Sequence, residues 1–156
     1  MYLSLCSLEY SNSFNNIEKI IINLRSGQIE ILKNHQEILG IIPNHLVEIE
    51  QISENQIKRY AYVLEAGIAK VIPAVKTKEN ETSVELFAKT ICPLHLVTLE
   101  ELTKRYEEKK LEYEKENLEF QKIEDSLARQ VIKTKLSMLE RELDFASQCL
   151  FFKKKK

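Results

Sequence analysis

The histidines and cysteines are the residues best suited to bind a metal or attack a substrate. They are Cys6, His35, His45, Cys92, His95 and Cys149. The cysteines form no Cys-x-x-Cys pair, and the histidines show no zinc-like spacing. The sequence also lacks a glycine-rich phosphate loop and a convincing Ser-His-Asp arrangement. We therefore predict no catalytic residue, no cofactor and no metal site, and we expect free thiols in a reduced, cytosolic protein.

Composition narrows the class of protein further. The 156 residues are 44% hydrophobic and 30% charged, and the formal net charge is −1. These proportions are typical of a globular chain, and the balanced charge offers no general attraction to nucleic acid. The first ten residues, MYLSLCSLEY, lack the pattern of a signal peptide. Because no apolar run approaches the roughly 20 residues of a membrane span, we expect no direct membrane insertion.

Glycine and proline are distributed unevenly along the chain. All of them lie before residue 94, and both punctuate short elements while disfavouring long helices. We therefore predict a β-domain over residues 1–93 and a helical domain over 94–156. Many short strands at such spacing indicate a sandwich or a barrel. The predicted strands cover residues 2–8, 17–24, 38–42, 46–52, 57–64, 68–72 and 84–89.

A further strand begins near Gly27. Arg25, Ser26 and Gly27 suit a three-residue hairpin loop in which the glycine supplies a positive φ. Ile29 and Ile31 then share one face of the following strand, since side chains alternate along a strand.

The helical half contains a start signal and a periodic seam. Thr98 and Glu101 have the spacing of a capping box, and Val97 and Leu102 that of a hydrophobic staple. Apolar residues then recur at the 4-3-4-3-4 spacing of a heptad seam. The seam residues are Ile132, Leu136, Leu139, Leu143, Ala146 and Leu150.

An apolar stripe earlier in the helical half favours two helices over one straight helix. This stripe contains Leu99, Leu102, Tyr106 and Tyr113. Extending it by heptads misses the later seam by two residues, which is a rotation of roughly 200°. We therefore predict an antiparallel helical hairpin with its turn near residues 116–124 and Asp125 or Asn117 as the second N-cap. The seam could pack the two helices against each other, or it could be a detachable face that also docks elsewhere. The tail, residues 151–156, could be a frayed end or could contact an acidic surface of a partner.

Several segments together resemble one known family. Residues 27–39, GQIEILKNHQEIL, resemble the G-E-[IL]-G-I-L-x-x-H-A-P-L segment of the epsilon subunit of F-type ATP synthases. Residues 60–72, YAYVLEAGIAKVI, are similar to the second signature of the family. Pro43-Asn44 stands where the family usually has Pro-Gly. Phe14 and the strand that follows it resemble the start of a strand in the family. Residues 99–104, LEELTK, lack the Arg and Ala of the motif with which some members of the family bind ATP. This agrees with the expectation that the chain binds no cofactor. With these departures from the family pattern, the chain resembles a divergent member of the family, from an F1-like ATPase of the mycoplasma type.

The resemblance implies a fold, a function and partners. It implies a ten-stranded β-sandwich followed by an antiparallel two-helix hairpin, in a non-catalytic central-stalk subunit of a rotary ATPase. The implied partner is the gamma subunit, with the c-ring and the alpha/beta catalytic head as further partners, at the cytoplasmic face of a bacterial plasma membrane. The alternative is a free-standing adaptor that uses its sandwich and hairpin for separate partners.

The resemblance also assigns candidate contact residues. Arg25, Ser26, Gly27 and Gln28 fall on the loop that faces the ring, and His35 falls near the gamma-facing side. Leu136, Leu139 and Leu143 lie in the seam of the hairpin. For Gly27 and His35 the alternative is a structural role, as a turn glycine and as a hydrogen-bonded packing residue.

Overall fold

The computed structural model describes residues 1–54 and 56–155, which form ten strands, a single-turn 3-10 helix and two long helices. The chain divides into two compact units, Met1–Leu96 and Val97–Lys156. The strands are β1 (Tyr2–Cys6), β2 (Ser11–Phe14), β3 (Ile17–Leu24), β4 (Gly27–Leu32), β5 (Ile38–Ile42), β6 (His45–Ser53), β7 (Gln56–Glu65), β8 (Gly67–Ile72), β9 (Ser83–Phe87) and β10 (Thr90–Pro93). The helices are α1 (Leu99–Lys122) and α2 (Ser126–Lys155).

The strands build two sheets that enclose one apolar core. Sheet A has the order β2-β1-β9-β8-β5, and sheet B has the order β10-β7-β6-β3-β4. Within the described residues, β1 and β9 form the one parallel pair, and the other pairs are antiparallel. A β-sandwich followed by a helical hairpin is the predicted fold class, which is therefore confirmed.

The period-2 pattern of the strands explains the core. On β3, for example, Ile20 and Ile22 are fully buried between the sheets, while Lys19 and Ile21 on the other face are only partly buried. Fully burying an aliphatic side chain contributes roughly 1.5–3 kcal/mol. The core combines such side chains from both sheets, among them Leu3, Leu5, Ile17, Ile20, Ile22, Ile31, Ile42, Ile49, Leu64 and Leu86.

Two details of the strands differ from the sequence-based expectations. The register pairs Leu24 with Gly27, so the turn between β3 and β4 contains only Arg25 and Ser26. The expected three-residue loop is therefore wrong, although Gly27 does have a positive φ of 127°. The short strands β2 and β10 were not predicted from periodicity, because SNSF is polar and TICP ends in proline.

An aromatic cluster fills one part of the sandwich around Tyr62. This side chain is fully buried, its ring lies 6.3 Å from that of Phe14, and its hydroxyl oxygen lies 3.4 Å from that of Tyr10. Burial first, and then the hydrogen bond with Tyr10, raise the pKa of Tyr62 above its ordinary value of 10.0. Tyr62 therefore stays protonated in the folded protein at pH values that ionise exposed tyrosines.

Alkaline titration should reveal this difference. The folded state holds its proton more tightly than the unfolded state, so the contribution of Tyr62 to stability is complete below about pH 10 and is lost as the pH rises further. In a tyrosinate absorbance titration we expect one tyrosine to ionise only when the sandwich unfolds. Tyr62→Phe should remove that late step, whereas Tyr113→Phe, on the hairpin, should leave it in place. A wild-type protein whose tyrosines all ionise before unfolding would contradict the prediction.

The starts of both helices follow the sequence signals. The Thr98 hydroxyl accepts from the Glu101 N–H at 3.2 Å, and the Glu101 carboxylate accepts from the Thr98 N–H at 2.8 Å, so the capping box is confirmed. At the second helix, the Asp125 carboxylate accepts from the Ala128 N–H at 2.9 Å, as an N-cap does. The alternative cap Asn117 was wrong, since α1 continues to Lys122 and the turn occupies residues 123–125.

The predicted hairpin is confirmed, but the seam between its two helices contains charged as well as apolar side chains. The inward positions of α1 follow heptad spacing and include charged residues. They are Leu102, Tyr106, Lys109, Tyr113, Glu116 and Phe120. Both charged members form ion pairs with α2, Lys109 with Glu142 at 2.7 Å and Glu116 with Lys135. The hairpin is therefore stabilised by ion pairs as well as by apolar packing.

Replacing a seam charge should make the hairpin more stable. Glu116 is buried, whereas the Lys135 side chain is 51% exposed and can turn to water. Since a buried ion pair often stabilises less than an apolar contact of similar volume, Glu116→Leu should raise the melting temperature of the helices. Glu107→Leu, at an exposed position of the same helix, is the matched control and should have little effect. Far-UV circular dichroism measures both, and a lower melting temperature for Glu116→Leu would count against the prediction.

Candidate protein-interaction surface

The loop residues assigned by resemblance lie at one end of the sandwich. Arg25 and Ser26 form the exposed turn between β3 and β4, and the Arg25 N–H donates to the carbonyl of Ile41 at 3.0 Å. Gly27 opens β4, and Gln28 is exposed beside it, paired in register with Asn23. The backbone of the turn is thus fastened to β5 of the other sheet, while its side chains face solvent.

His35 lies at the opposite end of the sandwich. Strand β4 runs from Gly27 to Leu32, which is about 17 Å at the usual rise of a strand, and His35 follows it. Its Nδ1 lies 3.0 Å from the carbonyl oxygen of Gln36, and its N–H donates to Leu32 at 3.2 Å. The structure therefore does not bring His35 together with Arg25.

The remaining predicted contact residues belong to the hairpin. Leu139 is buried, and Leu136 and Leu143 are half-buried on the same face of α2. The helix continues through Phe151 to Lys155, so most of the 151–156 tail belongs to α2. Lys156, the last residue of the basic tail, lies outside the described residues.

Sequence periodicity missed a row of apolar side chains on the outer face of sheet A. The register places Ile41 of β5 beside Ile68 of β8, Ile68 beside Phe87 of β9, and Phe87 beside Cys6 of β1. Ile41, Ile68 and Phe87 are about half exposed, at 50, 49 and 47%, and Leu39 nearby is 76% exposed. We call Cys6, Phe87, Ile68 and Ile41 the apolar row. An apolar patch that crosses four strands on a solvent face is characteristic of an interaction surface.

The outer face of sheet B has a different character. A ladder of charges crosses its strands, from Glu30 to Lys19 at 3.6 Å, from Lys19 to Glu50 at 3.4 Å, and from Glu50 to Arg59 at 2.9 Å. The hydrogen bond from Arg59 holds the pKa of Glu50 below its ordinary range, although burial opposes this. Because these charges are paired with each other and solvated, sheet B is the less favourable face for docking.

A groove of about 440 Å³ borders the apolar row at the β5 side. Its lining is mostly apolar, from Leu24, Leu39, Ile41 and Ile68, and the turn residue Arg25 supplies its one charged group among the described residues. On the same sheet, Lys70 is paired with Glu85 at 3.2 Å. Among the described residues the Arg25 side chain forms no ion pair or hydrogen bond, so it leaves one uncompensated positive charge beside the groove.

In residues 1–54 and 56–155, no group of three or more His, Cys, Asp or Glu side chains is arranged to hold a metal ion. Neither described helix combines the length and the apolar character that a membrane crossing requires.

Comparison with known proteins gives structural neighbours only. No family model matches the chain, and no curated protein matches it. It is similar to a chain of the Euglena gracilis mitochondrial ATP synthase, in a structure of OSCP, F1 and the c-ring, with 18% identity and a TM-score of 0.48 over 89% of this chain and 76% of that chain. It is also similar to a chain of the Tetrahymena thermophila mitochondrial ATP synthase, in a structure of the central stalk and c-ring, with 13% identity and a TM-score of 0.49 over 61% and 67% of the respective chains. At these values neither similarity bears on what the chain does.

Proposed function

We propose that this chain is a non-catalytic subunit of the central stalk of a rotary ATPase, and that it binds a gamma-like subunit through the outer face of sheet A. In this role the sandwich attaches to the shaft, and ATP hydrolysis occurs in other subunits. The proposal extends to a position at the cytoplasmic face of the membrane, held there by partners.

The apolar row is the observation that carries the proposal. Half-exposed Ile41, Ile68 and Phe87 lie side by side in register, whereas the outer face of sheet B carries the paired charges of Lys19, Glu50 and Arg59. The outer face of sheet B also has exposed apolar side chains, Leu32, Ile52 and Ile57, but they flank the charge ladder and do not form a continuous row across the sheet. A continuous apolar row on one outer face and a charge ladder on the other suit a protein that is bound to a partner on one side only.

Residues of the family resemblance supply separate support. Residues 27–39 and 60–72 carry the two most specific matches. They form β4, the beginning of β5, half of β7 and all of β8. Two of those strands, β5 and β8, contribute Ile41 and Ile68 to the apolar row. Of the apolar row, only Ile68 lies within these two segments, and Ile41 follows the first of them by two residues. The resemblance and the proposed docking face therefore share the strands β5 and β8.

Purification of the native assembly tests the proposal. A tagged chain should co-purify with a gamma-like subunit and with nucleotide-binding alpha and beta subunits, identified by mass spectrometry. Ile68→Ser should weaken this association because it removes apolar area at the centre of the row, whereas Ile57→Ser, an exposed apolar residue of sheet B, should not. Recovery of the chain only as a homodimer would favour a free-standing adaptor, and ATP hydrolysis by the isolated chain would refute a non-catalytic role.

A further inference from the structure

We infer that the partner element seated on sheet A is an amphipathic helix with an acidic residue that pairs with Arg25 at the β5 end of the groove. This inference rests on the proposed function, since it names the chemistry of the partner at the same surface. It assigns Arg25 to the gamma-like partner, whereas the resemblance places this residue on the loop that faces the ring. It follows from the backbone of β5, the spacing of the apolar row and the unpaired charge.

The backbone argues against a partner that adds a strand at this place. β5 is an edge strand of sheet A, and a free edge invites strand addition. Here the carbonyl of Ile41 already accepts from the Arg25 N–H at 3.0 Å, so the turn between β3 and β4 occupies that part of the edge. A partner must therefore bind through side chains laid on the face of the sheet.

The spacing of the apolar row fits a helix that crosses the strands. Neighbouring strands lie about 4.8 Å apart, so Ile41, Ile68 and Phe87 span about 10 Å. Seven residues of a helix rise about 10.5 Å, and residues i, i+3 or i+4, and i+7 share one face. Three consecutive apolar positions of a helix can thus contact three consecutive positions of the row.

The charge at the groove indicates which end of the contacting helix face has an acidic residue. Arg25 lies at the β5 end of the row, and its side chain has no charged partner among the described residues. The nearby Lys70 is already neutralised by Glu85 at 3.2 Å. A carboxylate on the partner helix would form a charge-assisted hydrogen bond with the guanidinium, beside an apolar surface that limits access of water. A basic partner would instead leave two like charges together.

Photo-crosslinking in the native assembly tests this inference. A benzophenone amino acid replaces Leu39, which is 76% exposed beside the groove, and the crosslinked partner peptide is sequenced. We expect a helical segment with Asp or Glu within one turn of the crosslinked residue. In the same background, Arg25→Glu should lower the crosslink yield at limiting concentration about tenfold, as expected for loss of a charge-assisted hydrogen bond. Arg25→Lys should retain most of the yield, and Lys58→Glu, on sheet B, should not change it.

The outcomes separate the inference from the proposed function. If Ile68→Ser abolishes the crosslink and Arg25→Glu does not, the docking face stands and the acidic partner helix is refuted. A crosslinked peptide that is basic, or that comes from a second copy of this chain, also refutes the inference. If no partner peptide is crosslinked, or if Ile68→Ser has no effect either, the proposed docking face is wrong as well.

Discussion

Leu24→Ala should destabilise the sandwich by about 2–5 kcal/mol, the range measured for large-to-small changes in protein cores. Leu24 ends β3 and is 8% exposed. Its side chain lies over Gly40 of the other sheet, where an added Cβ would come within 2.6 Å of a Leu24 methyl carbon. The leucine therefore closes the corner between the sheets, and its removal leaves a cavity beneath the groove. Urea denaturation followed by tyrosine fluorescence measures the loss.

Gly40→Ala provides the matched test of this explanation. Alone it forces Leu24 aside, an overpacking that costs about 1–3 kcal/mol and is partly offset by reduced freedom of the unfolded chain. Combined with Leu24→Ala, the new methyl group fills part of the cavity. The double variant should therefore be more stable than the sum of the single changes predicts, by about 0.5 kcal/mol or more. Strict additivity would show that the two positions do not share the space described.

Gly67→Ala should also destabilise the sandwich, by about 1–3 kcal/mol. The added Cβ would lie 3.0 Å from the backbone oxygen of Phe87 and 3.3 Å from the Cβ of Ile42. Neither neighbour is the flexible end of a side chain, so the strands themselves would have to shift. Because Phe87 belongs to the apolar row, that shift should also weaken partner binding.

Ala66, next to Gly67, should respond in the opposite direction. Its φ is 48°, a left-handed conformation that costs a residue with a side chain roughly 1–2 kcal/mol. Ala66→Gly should relieve part of this strain and raise the urea midpoint slightly, since the gain is partly offset by the greater freedom of glycine in the unfolded state. If Gly67→Ala proved neutral, or if Ala66→Gly proved strongly destabilising, this description of the β7–β8 turn would be wrong.

Periodicity predicted the parts of the fold in which local pattern and tertiary packing agree. The 4-3-4 spacing from Ile132 to Leu150 and the capping box at Thr98 led to the hairpin. The position of its turn was harder to predict, because no glycine or proline marks residues 123–125. Lys109 and Glu116 concealed two of the six inward positions of α1, since these two positions depend on ion pairs with α2.

The candidate surface was less accessible to sequence reasoning. Arg25 and Ser26 were identified by resemblance, and they border the groove. The apolar row could not be predicted, because Cys6, Ile41, Ile68 and Phe87 come from distant parts of the sequence and meet only through the registers of four strands. The one signal in the sequence was Phe87, an aromatic residue on the polar face of the strand predicted for 84–89.

The parallel pairing of β1 with β9 has a consequence for biosynthesis. The ribosome makes β1 before the rest of the sandwich, yet Tyr2 pairs with Ser83 and Cys6 with Phe87. Contacts between such distant residues form slowly, because a long loop must close first. The antiparallel strands β3, β4, β6 and β7 of sheet B can assemble while synthesis continues, but β1 waits with one edge unpaired until β9 has left the exit tunnel. A pause in translation after β8 would therefore prolong a state that is prone to aggregate.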